Sequence, residues 1–251
     1  MENLTGKVAV VTGGGRDIGR ATCVKFGENG MSVVVNYLAS ESAAAETVEL
    51  VKKAGGDAVA VKADVSTSAG VAQLVSETLK AFNKPVQVLV NNAGGLVGRK
   101  QIVEMEESFW DQVITLNLKS VFLVSKAFVP HMADNGSIVN LSTLAARNGG
   151  GGGAVAYATA KGGVLTFTRG FAKELKSRHI RVNCVSPGLI DTTFHDKFTP
   201  AEARKNTVNA TLADREGTAA DVANAIFFLA TDASSYINGE SIEINGGLYF
   251  V

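Results

Sequence analysis

The 251-residue sequence is poor in cysteine and proline and has no excess of charge of either sign. Cys23 and Cys184 both lie among apolar neighbours, so we expect reduced core thiols and no disulfide framework, as in cytoplasmic proteins. Lys plus Arg and Asp plus Glu each total 24, which leaves no basic stripe for nucleic acid. Apolar runs of about five to eight residues are too short to span a membrane. We therefore expect a cytoplasmic protein with a small-molecule partner.

Short β-branched runs alternate with longer amphipathic runs along the chain. The pattern predicts strands over 7–12, 32–37, 57–62, 86–91, 136–142, 180–185 and 241–244. It predicts helices over 17–29, 41–54, 67–82, 106–132, 155–178 and 219–231. Such alternation indicates an α/β, doubly wound, mostly parallel seven-stranded sheet of the Rossmann type. No repeat or linker divides the chain, so 1–251 is predicted to be one domain that binds ligands beyond the carboxyl ends of its strands.

A glycine-rich turn joins the first predicted strand to the first predicted helix. It reads Thr12-Gly13-Gly14-Gly15-Arg16-Asp17-Ile18-Gly19. Glycines allow a tight turn and a close approach to a pyrophosphate, which the N–H groups at the start of the helix can bind. A plain tight turn is the alternative, and the position between a strand and a helix favours the phosphate loop.

Polar residues also follow the third and fourth predicted strands. Asp64-Val65 could bind an adenine amino group, or the carboxylate could cap the next helix. Asn91-Asn92-Ala93-Gly94 could let a ribose lie against the backbone, or form a simple turn. Local sequence alone leaves each pair of alternatives open.

Tyr157 and Lys161 are four residues apart in a predicted helix, which places both side chains on one face. A tyrosine has a pKa near ~10, too high for efficient proton exchange at neutral pH. A positive charge about 5 Å away is expected to lower that pKa by roughly 2 units at an effective dielectric constant of ~20. The pair therefore indicates general acid/base chemistry, although by itself it could be a surface pair.

Further polar groups belong to the predicted catalytic set. Ser142 and Thr143 end the fifth strand, where a hydroxyl could hold a substrate carbonyl oxygen or cap a turn. Asn117 lies between Leu116 and Leu118 in a predicted helix. It is either a satisfied buried amide or the support for a water in a proton path.

Taken together, these motifs resemble the short-chain dehydrogenases/reductases over essentially the whole chain. Two further segments share the resemblance: Pro187-Gly188-Leu189-Ile190-Asp191-Thr192, and the C-terminal Ile237-Asn238-Gly239 with Asn245-Gly246-Gly247. The resemblance implies that Tyr157 is the general acid/base, that Lys161 lowers its pKa and holds the nicotinamide ribose, and that Asn117 supports a proton relay. It places Pro187 to Thr192 beside the nicotinamide, with Ile190 and Thr192 near the carboxamide. It also implies a homotetramer built on the helices at 106–132 and 155–178.

The sequence departs from the family pattern at three places. Asp17 stands where a glycine is usual, and we expect it to be tolerated, with Arg16 neutralising the carboxylate or the side chain facing solvent. The family's catalytic serine usually precedes the tyrosine by thirteen residues, whereas Thr143 precedes it by fourteen and Ser142 by fifteen. Strand alignment favours Thr143 as the catalytic hydroxyl, and chemistry alone favours Ser142. Gly149 to Gly153 form either a mobile connection or the substrate entrance.

The second strand ends without the acidic residue that would bind the adenosine ribose of NAD. Arg16 stands where NADP-preferring relatives often carry a basic residue, and Asn36 and Ser40 could bind a 2′-phosphate. NADP is therefore the favoured cofactor and NAD the alternative. Histidines without metal-ligand spacing give no reason to expect a metal.

The favoured function is reduction of a ketone or 3-oxoacyl group by an NAD(P)-dependent oxidoreductase. A segment over 193–213 is predicted to form a substrate lid, with Phe194 and Phe198 either touching substrate or packing in a small core of their own. The alternatives are a sugar or alcohol dehydrogenase working in the oxidative direction, a lyase or dehalogenase, and a non-catalytic dinucleotide-binding sensor or scaffold. Intact Tyr157 and Lys161 argue against the sensor or scaffold.

Overall fold

A computed structural model describes residues 4–251, which form one seven-stranded sheet with helices on both faces. All strand pairs are parallel, in the order β3-β2-β1-β4-β5-β6-β7. The strands are Val8–Val11 (β1), Ser32–Tyr37 (β2), Asp57–Lys62 (β3), Val86–Asn91 (β4), Met132–Leu141 (β5), Arg181–Pro187 (β6) and Ser241–Ile244 (β7). The predicted doubly wound, single-domain fold is confirmed.

The helices follow the strands as the periodicity predicts. They are Asp17–Gly27 (α1), Glu41–Lys53 (α2), Ser68–Phe82 (α3), Glu107–Ile114 (α4), Ser120–Phe128 (α5), Ala145–Asn148 (α6), Val155–Glu174 (α7), Thr193–Phe198 (α8), Ala201–Ala210 (α9) and Ala219–Ala230 (α10). Helices α6, α8 and α9 have no counterpart among the predicted helices. The four residues of α6 are too few to show a helical period, and the segment 193–213, which contains α8 and α9, is predicted only as a lid.

The predicted helix over 106–132 is interrupted. A π-helical turn over Thr115–Lys119 separates α4 from α5, and a 3₁₀ turn over Val129–His131 follows α5. The run Glu107–His131 is long and apolar enough to cross a membrane by length and composition, contrary to the expectation of short apolar runs. One such helix is weak evidence for a span, since a core helix meets the same criterion, and Val121, Val124 and Phe128 are buried in this domain.

Strand β5 begins earlier than predicted. Its first residues, 132–135, include polar Asp134 and Asn135, and Asn135 has a left-handed backbone with φ 61°. The pairing with β4 shifts register between Val86 and Val88, which accommodates these extra residues. The segment lacks the apolar run of a buried strand, and for that reason the sequence pattern missed it.

The sheet is buried on both faces, as its near-continuous valine runs require. Val11, Val33 and Val35 pack on one side with Phe26 and Ile226. The alternate strand positions pack on the other side, in a cluster that contains Val8, Val10, Val34, Leu74 and Phe128. Strand order reverses between β1 and β4, so the cleft for a ligand is expected where these two strands end.

Candidate active site

The glycine turn after β1 is held in one conformation by its neighbours. Gly13 has φ 64°, and a Cβ on Gly19 would lie 2.2 Å from the carbonyl oxygen of Gly13. The Asn92 side-chain amide donates to the carbonyl oxygens of Thr12 and Gly13 at 2.9 and 3.0 Å. Asn36 Oδ1 accepts from the Gly13 N–H at 3.2 Å. The backbone at Gly19 therefore lies so close to the Gly13 carbonyl oxygen that no residue with a Cβ fits at position 19.

The start of helix α1 is available to an anion. The side chains of Ser40, Thr67 and Thr218 cap α2, α3 and α10, whereas no side chain caps α1 at Arg16. The first N–H groups of a helix have no partner within the helix. Since this helix end lies at the cleft, it has the donor set and the partial positive charge that bind a phosphate.

A cleft of about 630 Å³ runs along the carboxyl ends of the strands. Most of the predicted site residues line it: Gly13, Gly15, Arg16, Asp17, Ile18, Gly19, Ser40, Asn92, Ala93, Gly94, Ser142, Thr143, Tyr157, Lys161, Pro187, Gly188, Ile190 and Thr192. A second depression of about 750 Å³, around Arg169, His179 and Tyr236, involves none of these residues. The predicted residues are thus brought together in one cleft.

Five predicted site residues do not line the cleft: Asn36, Asp64, Val65, Asn91 and Asn117. Asp64 Oδ1 accepts from the N–H and the hydroxyl of Ser66, at 2.9 and 2.6 Å, in the turn before α3, whereas Thr67 is the residue that caps α3, so the capping prediction for Asp64 is wrong. Asn91 is buried and donates to Ser125 Oγ and to Asn140 Oδ1. Asn36 is also buried, and its amide donates to the carbonyl oxygens of Val61 and Ala63. The Asn36 and Asn91 side chains therefore join neighbouring strands to one another.

The hydroxyl groups after β5 point in different directions. Ser142 is buried, and its Oγ donates to the Lys161 carbonyl oxygen at 2.9 Å. The Thr143 side chain lies close enough to the Tyr157 hydroxyl to lower the pKa of that group, and Thr143 Oγ1 donates to the Pro187 carbonyl oxygen at 3.3 Å. Thr143 and Tyr157 therefore present two hydroxyl groups side by side in the cleft.

Burial controls the ionisation of both titratable groups. It raises the pKa of Tyr157 to about 12, and the neighbouring Thr143 side chain opposes this rise. It lowers the pKa of Lys161 to about 8. In the ligand-free protein the decrease in the pKa of Tyr157 that was expected from Lys161 is therefore not found, because desolvation is the largest effect on the phenol and raises its pKa. The Lys161 ammonium donates to the Leu141 carbonyl oxygen at 2.7 Å.

Asn117 lies within the π-helical turn, a feature often found at functional sites. Its side chain is fully buried, accepts from the Gly95 N–H at 2.9 Å and donates to the carbonyl oxygens of Gly95 and Val113, each at 2.9 Å. A Cβ on Gly94 would lie 2.7 Å from Asn117 Oδ1 and 3.1 Å from Lys161 Nζ. The Asn117 amide is a satisfied buried group that supports the backbone beside Lys161.

The segment after β6 covers one side of the cleft. The Phe194 ring centroid in α8 lies 6.1 Å from that of Tyr157 and 5.3 Å from that of Phe198, and both phenylalanines line the cleft. Arg204 in α9 forms ion pairs with Asp196 in α8 and with Glu216 beyond α9. The apolar rings therefore face the general acid/base candidate.

Sequence reasoning missed several residues that shape the cleft. Thr12 Oγ1 accepts from the N–H groups of Asn92 and Ala93, each at 3.0 Å, and so joins β1 to the end of β4. Arg99 donates to the Gly152 carbonyl oxygen at 3.0 Å, and the Lys100 N–H donates to the Gly153 carbonyl oxygen at 3.1 Å. The five-glycine run is thus bonded to the segment that follows β4. These partners are distant in sequence, so no local pattern could identify them.

A dinucleotide fits this cleft. The glycine turn is free of side chains where α1 begins, the uncapped helix end provides N–H donors, and Gly94 leaves room next to Lys161. Arg16 and Ser40 lie on the β2 side of the cleft, while Tyr157 and Pro187 lie on the β5 and β6 side. The two sets correspond to the adenosine and nicotinamide ends of a dinucleotide in a doubly wound sheet.

Comparison with known proteins agrees with the geometry. Residues 13–249 match the family model described as enoyl-(acyl carrier protein) reductase. The chain is 41% identical over 251 residues to a 3-oxoacyl-(acyl-carrier-protein) reductase of Synechocystis, with 99% of both proteins covered. It is 38% identical over 252 residues to the Thermotoga maritima reductase of the same name, with 98% of both covered.

Solved structures give the same result. A short-chain dehydrogenase/reductase from Serratia marcescens superposes with a TM-score of 0.92 at 33% identity, over 98% of this chain and 99% of that one. An NADH-dependent reductase responsible for alginate metabolism superposes with a TM-score of 0.89 at 31% identity, over 99% of both chains. The chain belongs to the short-chain dehydrogenase/reductase family, whose NAD(P)-dependent oxidoreductases transfer a hydride between a nicotinamide and a carbonyl/alcohol pair.

Proposed function

We propose that this enzyme reduces the ketone of a 3-oxoacyl thioester or a related ketone, with NADPH as the preferred cofactor. The observation that carries the proposal is the pair of neighbouring hydroxyl groups, Thr143 and Tyr157, beside the apolar ring of Phe194. Two hydroxyl donors can bind one carbonyl oxygen, and an apolar wall suits an acyl chain better than a sugar. Two close relatives are named 3-oxoacyl-(acyl-carrier-protein) reductases, which agrees with this substrate class.

The chemistry assigned to the protein is proton transfer and orientation. A bound reduced nicotinamide supplies the hydride. Thr143 holds the substrate carbonyl oxygen and Tyr157 donates a proton to that oxygen as negative charge develops on it. Because burial keeps the pKa of Tyr157 near 12 in the free enzyme, the phenol is protonated at neutral pH, which suits reduction.

The remaining roles follow from position. Lys161, held by the Leu141 carbonyl oxygen, is proposed to bind the nicotinamide ribose. The uncapped start of α1 is proposed to bind the pyrophosphate, and Arg16 with Ser40 the 2′-phosphate. We assign no direct cofactor contact to Asn36, Asp64 or Asn91, whose side chains are engaged within the protein.

We also propose that the enzyme is a cytoplasmic homotetramer and that 193–213 acts as a substrate lid. The two cysteines are buried and free, which agrees with a reducing compartment. Phe122 in α5 and Val155 in α7 are exposed apolar residues on the helices that would form the subunit contact. Light scattering of the purified protein measures the predicted subunit number.

A sugar or sugar-acid substrate is the second candidate. It is favoured by the structural similarity to the NADH-dependent reductase of alginate metabolism. A shared fold accommodates both substrate classes, so activity decides between them.

The test is NADPH oxidation, followed by absorbance, with a panel of 3-oxoacyl thioesters, simple ketones and oxidised sugars. We expect turnover with the 3-oxoacyl thioesters and a loss of about 10²–10⁴-fold in Tyr157→Phe, the usual contribution of a general acid. Tyr236→Phe is the matched control, because Tyr236 is fully exposed and distant from the cleft. Full activity in Tyr157→Phe would refute the mechanism, and activity with oxidised sugars alone would favour the second candidate.

A further inference from the structure

Asp17 has an unusual backbone for its residue type. It occupies the left-handed region with φ 49°, a conformation in which glycine is the least strained residue. Aspartate and asparagine tolerate this region better than most other residues, so the fold can form with Asp17 present. Backbone preference nevertheless favours glycine, and it gives no reason for a carboxylate beside a phosphate-binding helix end.

The side chain supplies that reason. Asp17 Oδ2 lies 2.5 Å from the hydroxyl of Thr193, and Asp17 Oδ1 accepts from the Thr193 N–H at 3.3 Å. Arg16 Nε lies 3.6 Å from Oδ2. The carboxylate thus has two donors from one residue that is 176 positions away in the sequence, and a cation beside it. Hydrogen bonds to an ionised carboxylate are among the stronger ones in proteins.

Thr193 is the first residue of α8, the helix that covers the cleft. The next residue, Phe194, packs near the Tyr157 ring. At the other end of α8, the Phe198 carbonyl oxygen lies 3.5 Å from an Arg99 guanidinium nitrogen. Helix α8 therefore contacts the glycine turn at its first residue and Arg99 at its last.

We propose that Asp17 is a positioning residue that latches α8 to the glycine turn and so retains the bound dinucleotide. The proposal rests on the proposed function, since it assumes that the cleft holds a dinucleotide. When the latch is closed, α8 lies over the cleft with Phe194 against Tyr157. When the Asp17–Thr193 contact opens, α8 loses its attachment on the cofactor side, and the dinucleotide can leave. Arg16 and Thr193 together offset the repulsion between the carboxylate and a pyrophosphate.

Three variants separate the latch from a general effect on folding. Asp17→Gly removes the carboxylate and suits the left-handed backbone. Thr193→Val removes the hydroxyl with little change in shape, and Thr193→Ser keeps it. The first measurement is amide hydrogen exchange over 193–198 without any dinucleotide. The second is the NADPH dissociation rate, followed by cofactor fluorescence in a stopped-flow instrument.

Asp17→Gly and Thr193→Val are each expected to raise the exchange rate and the NADPH dissociation rate about tenfold, the size expected for one charge-assisted hydrogen bond. Thr193→Ser is expected to behave like the wild type. The double variant Asp17→Gly/Thr193→Val is expected to match Asp17→Gly, since the Thr193 hydroxyl has no carboxylate to bind once Asp17 is replaced.

Wild-type rates in Asp17→Gly, or additive effects in the double variant, would overturn the latch while leaving the proposed function intact. If the wild-type protein binds no dinucleotide, the proposed function fails and the retention role fails with it. In that case the exchange measurement still decides whether Asp17 holds α8. The two proposals can therefore be told apart.

Discussion

The ammonium group of Lys161 lies 2.7 Å from the carbonyl oxygen of Leu141, and the carbonyl oxygen of Lys161 accepts a hydrogen bond from Ser142 at 2.9 Å. Helix α7 and the end of β5 are thus joined by two reciprocal contacts. The Lys161 side chain spans the buried space between them and so fixes the distance from Tyr157 to the end of β5, which Thr143 follows. The lysine has a structural role as well as the role proposed for it in binding the cofactor.

Burial of Lys161 predicts a pH dependence of stability. Its pKa falls from 10.5 to about 8 in the folded protein, so between these values the unfolded chain keeps a proton that the folded chain has released. Stability therefore rises with pH across this window. Relative to Lys161→Met, the wild type is expected to gain about 1 kcal/mol between pH 8 and pH 9.

Urea unfolding of both proteins at pH 7, 8 and 9 measures this difference. Lys173→Met is the matched control, because Lys173 is exposed on the same helix and its loss should leave the pH dependence unchanged. If the free energies of unfolding of the wild type and Lys161→Met differ by the same amount at all three pH values, the prediction is wrong.

The orientation of the hydroxyl groups after β5 predicts which one acts in the reaction. Thr143→Ala is expected to lower turnover by about 10²-fold, the cost of one hydrogen-bond donor to a developing oxyanion. Because the Thr143 side chain lowers the pKa of Tyr157, loss of its hydroxyl should also move the alkaline limb of the pH–rate profile to higher pH. Thr143→Ser should retain most activity.

Ser142→Ala is the comparison. It removes a buried hydrogen bond to the Lys161 carbonyl oxygen and is expected to cost about 1 kcal/mol of stability, with a smaller effect on turnover than Thr143→Ala. Steady-state kinetics and thermal unfolding of the three variants provide the data. The opposite ranking in turnover would assign the catalytic role to Ser142.

Much of this fold could be predicted from the sequence because its signals are local. Valine-rich strands of four to six residues and amphipathic helices between them gave most strand and helix positions within a few residues. The exceptions are the start of β5, the interruption of the predicted helix over 106–132, and helices α6, α8 and α9. The polar residues that follow strands were also identifiable, because parallel strands all end at one edge of the sheet. The cleft residues Gly13, Asn92, Thr143 and Pro187 were found in this way.

The orientation of side chains could not be predicted. Asn91 and Asn92 are neighbours at the end of β4, yet the first joins the buried Asn140 and the second clamps the glycine turn. Alternation along a strand sends successive side chains to opposite faces, but the sequence does not say which face holds the polar partner. The Asp17 contact with Thr193 likewise depends on tertiary structure.

The close approach of Gly19 to Gly13 predicts that a larger residue at position 19 is harmful. Gly19→Ala would place a Cβ 2.2 Å from the Gly13 carbonyl oxygen, so the start of α1 must move. We expect dinucleotide affinity to fall by at least about tenfold and the protein to lose roughly 1–3 kcal/mol of stability, as for overpacking of a tight contact. Titration with NADPH fluorescence and urea unfolding measure the two effects.

Gly170→Ala is the control for the glycine change itself. Gly170 is exposed within α7, and a Cβ there would meet no atom within 4 Å. Alanine in the interior of a helix is expected to stabilise the protein by about 0.5–1 kcal/mol and to leave NADPH affinity unchanged. If Gly19→Ala and Gly170→Ala change stability and NADPH affinity equally, the glycine turn has no special role in binding the dinucleotide.

The surroundings of Ser40 predict the cofactor preference. Ser40 Oγ caps α2 by accepting from the Ala43 N–H at 3.3 Å, and Arg16, which is exposed and lies 3.6 Å from the Asp17 carboxylate, lines the same cleft. A 2′-phosphate there would lie between a cation and a helix N-terminus, both of which favour negative charge. We therefore expect a higher kcat/KM with NADPH than with NADH.

The charge of residue 40 can be changed while keeping a side chain that caps α2. Aspartate and asparagine are both good N-cap residues, so Ser40→Asp and Ser40→Asn should fold alike and differ only in charge. Ser40→Asp is expected to lower kcat/KM for NADPH about tenfold or more, through repulsion of the phosphate, with little effect on NADH. Ser40→Asn should keep the wild-type preference, and Arg16→Ala should weaken it. If the wild type prefers NADH, or if the aspartate and asparagine variants use NADPH equally well, the 2′-phosphate does not bind beside Ser40.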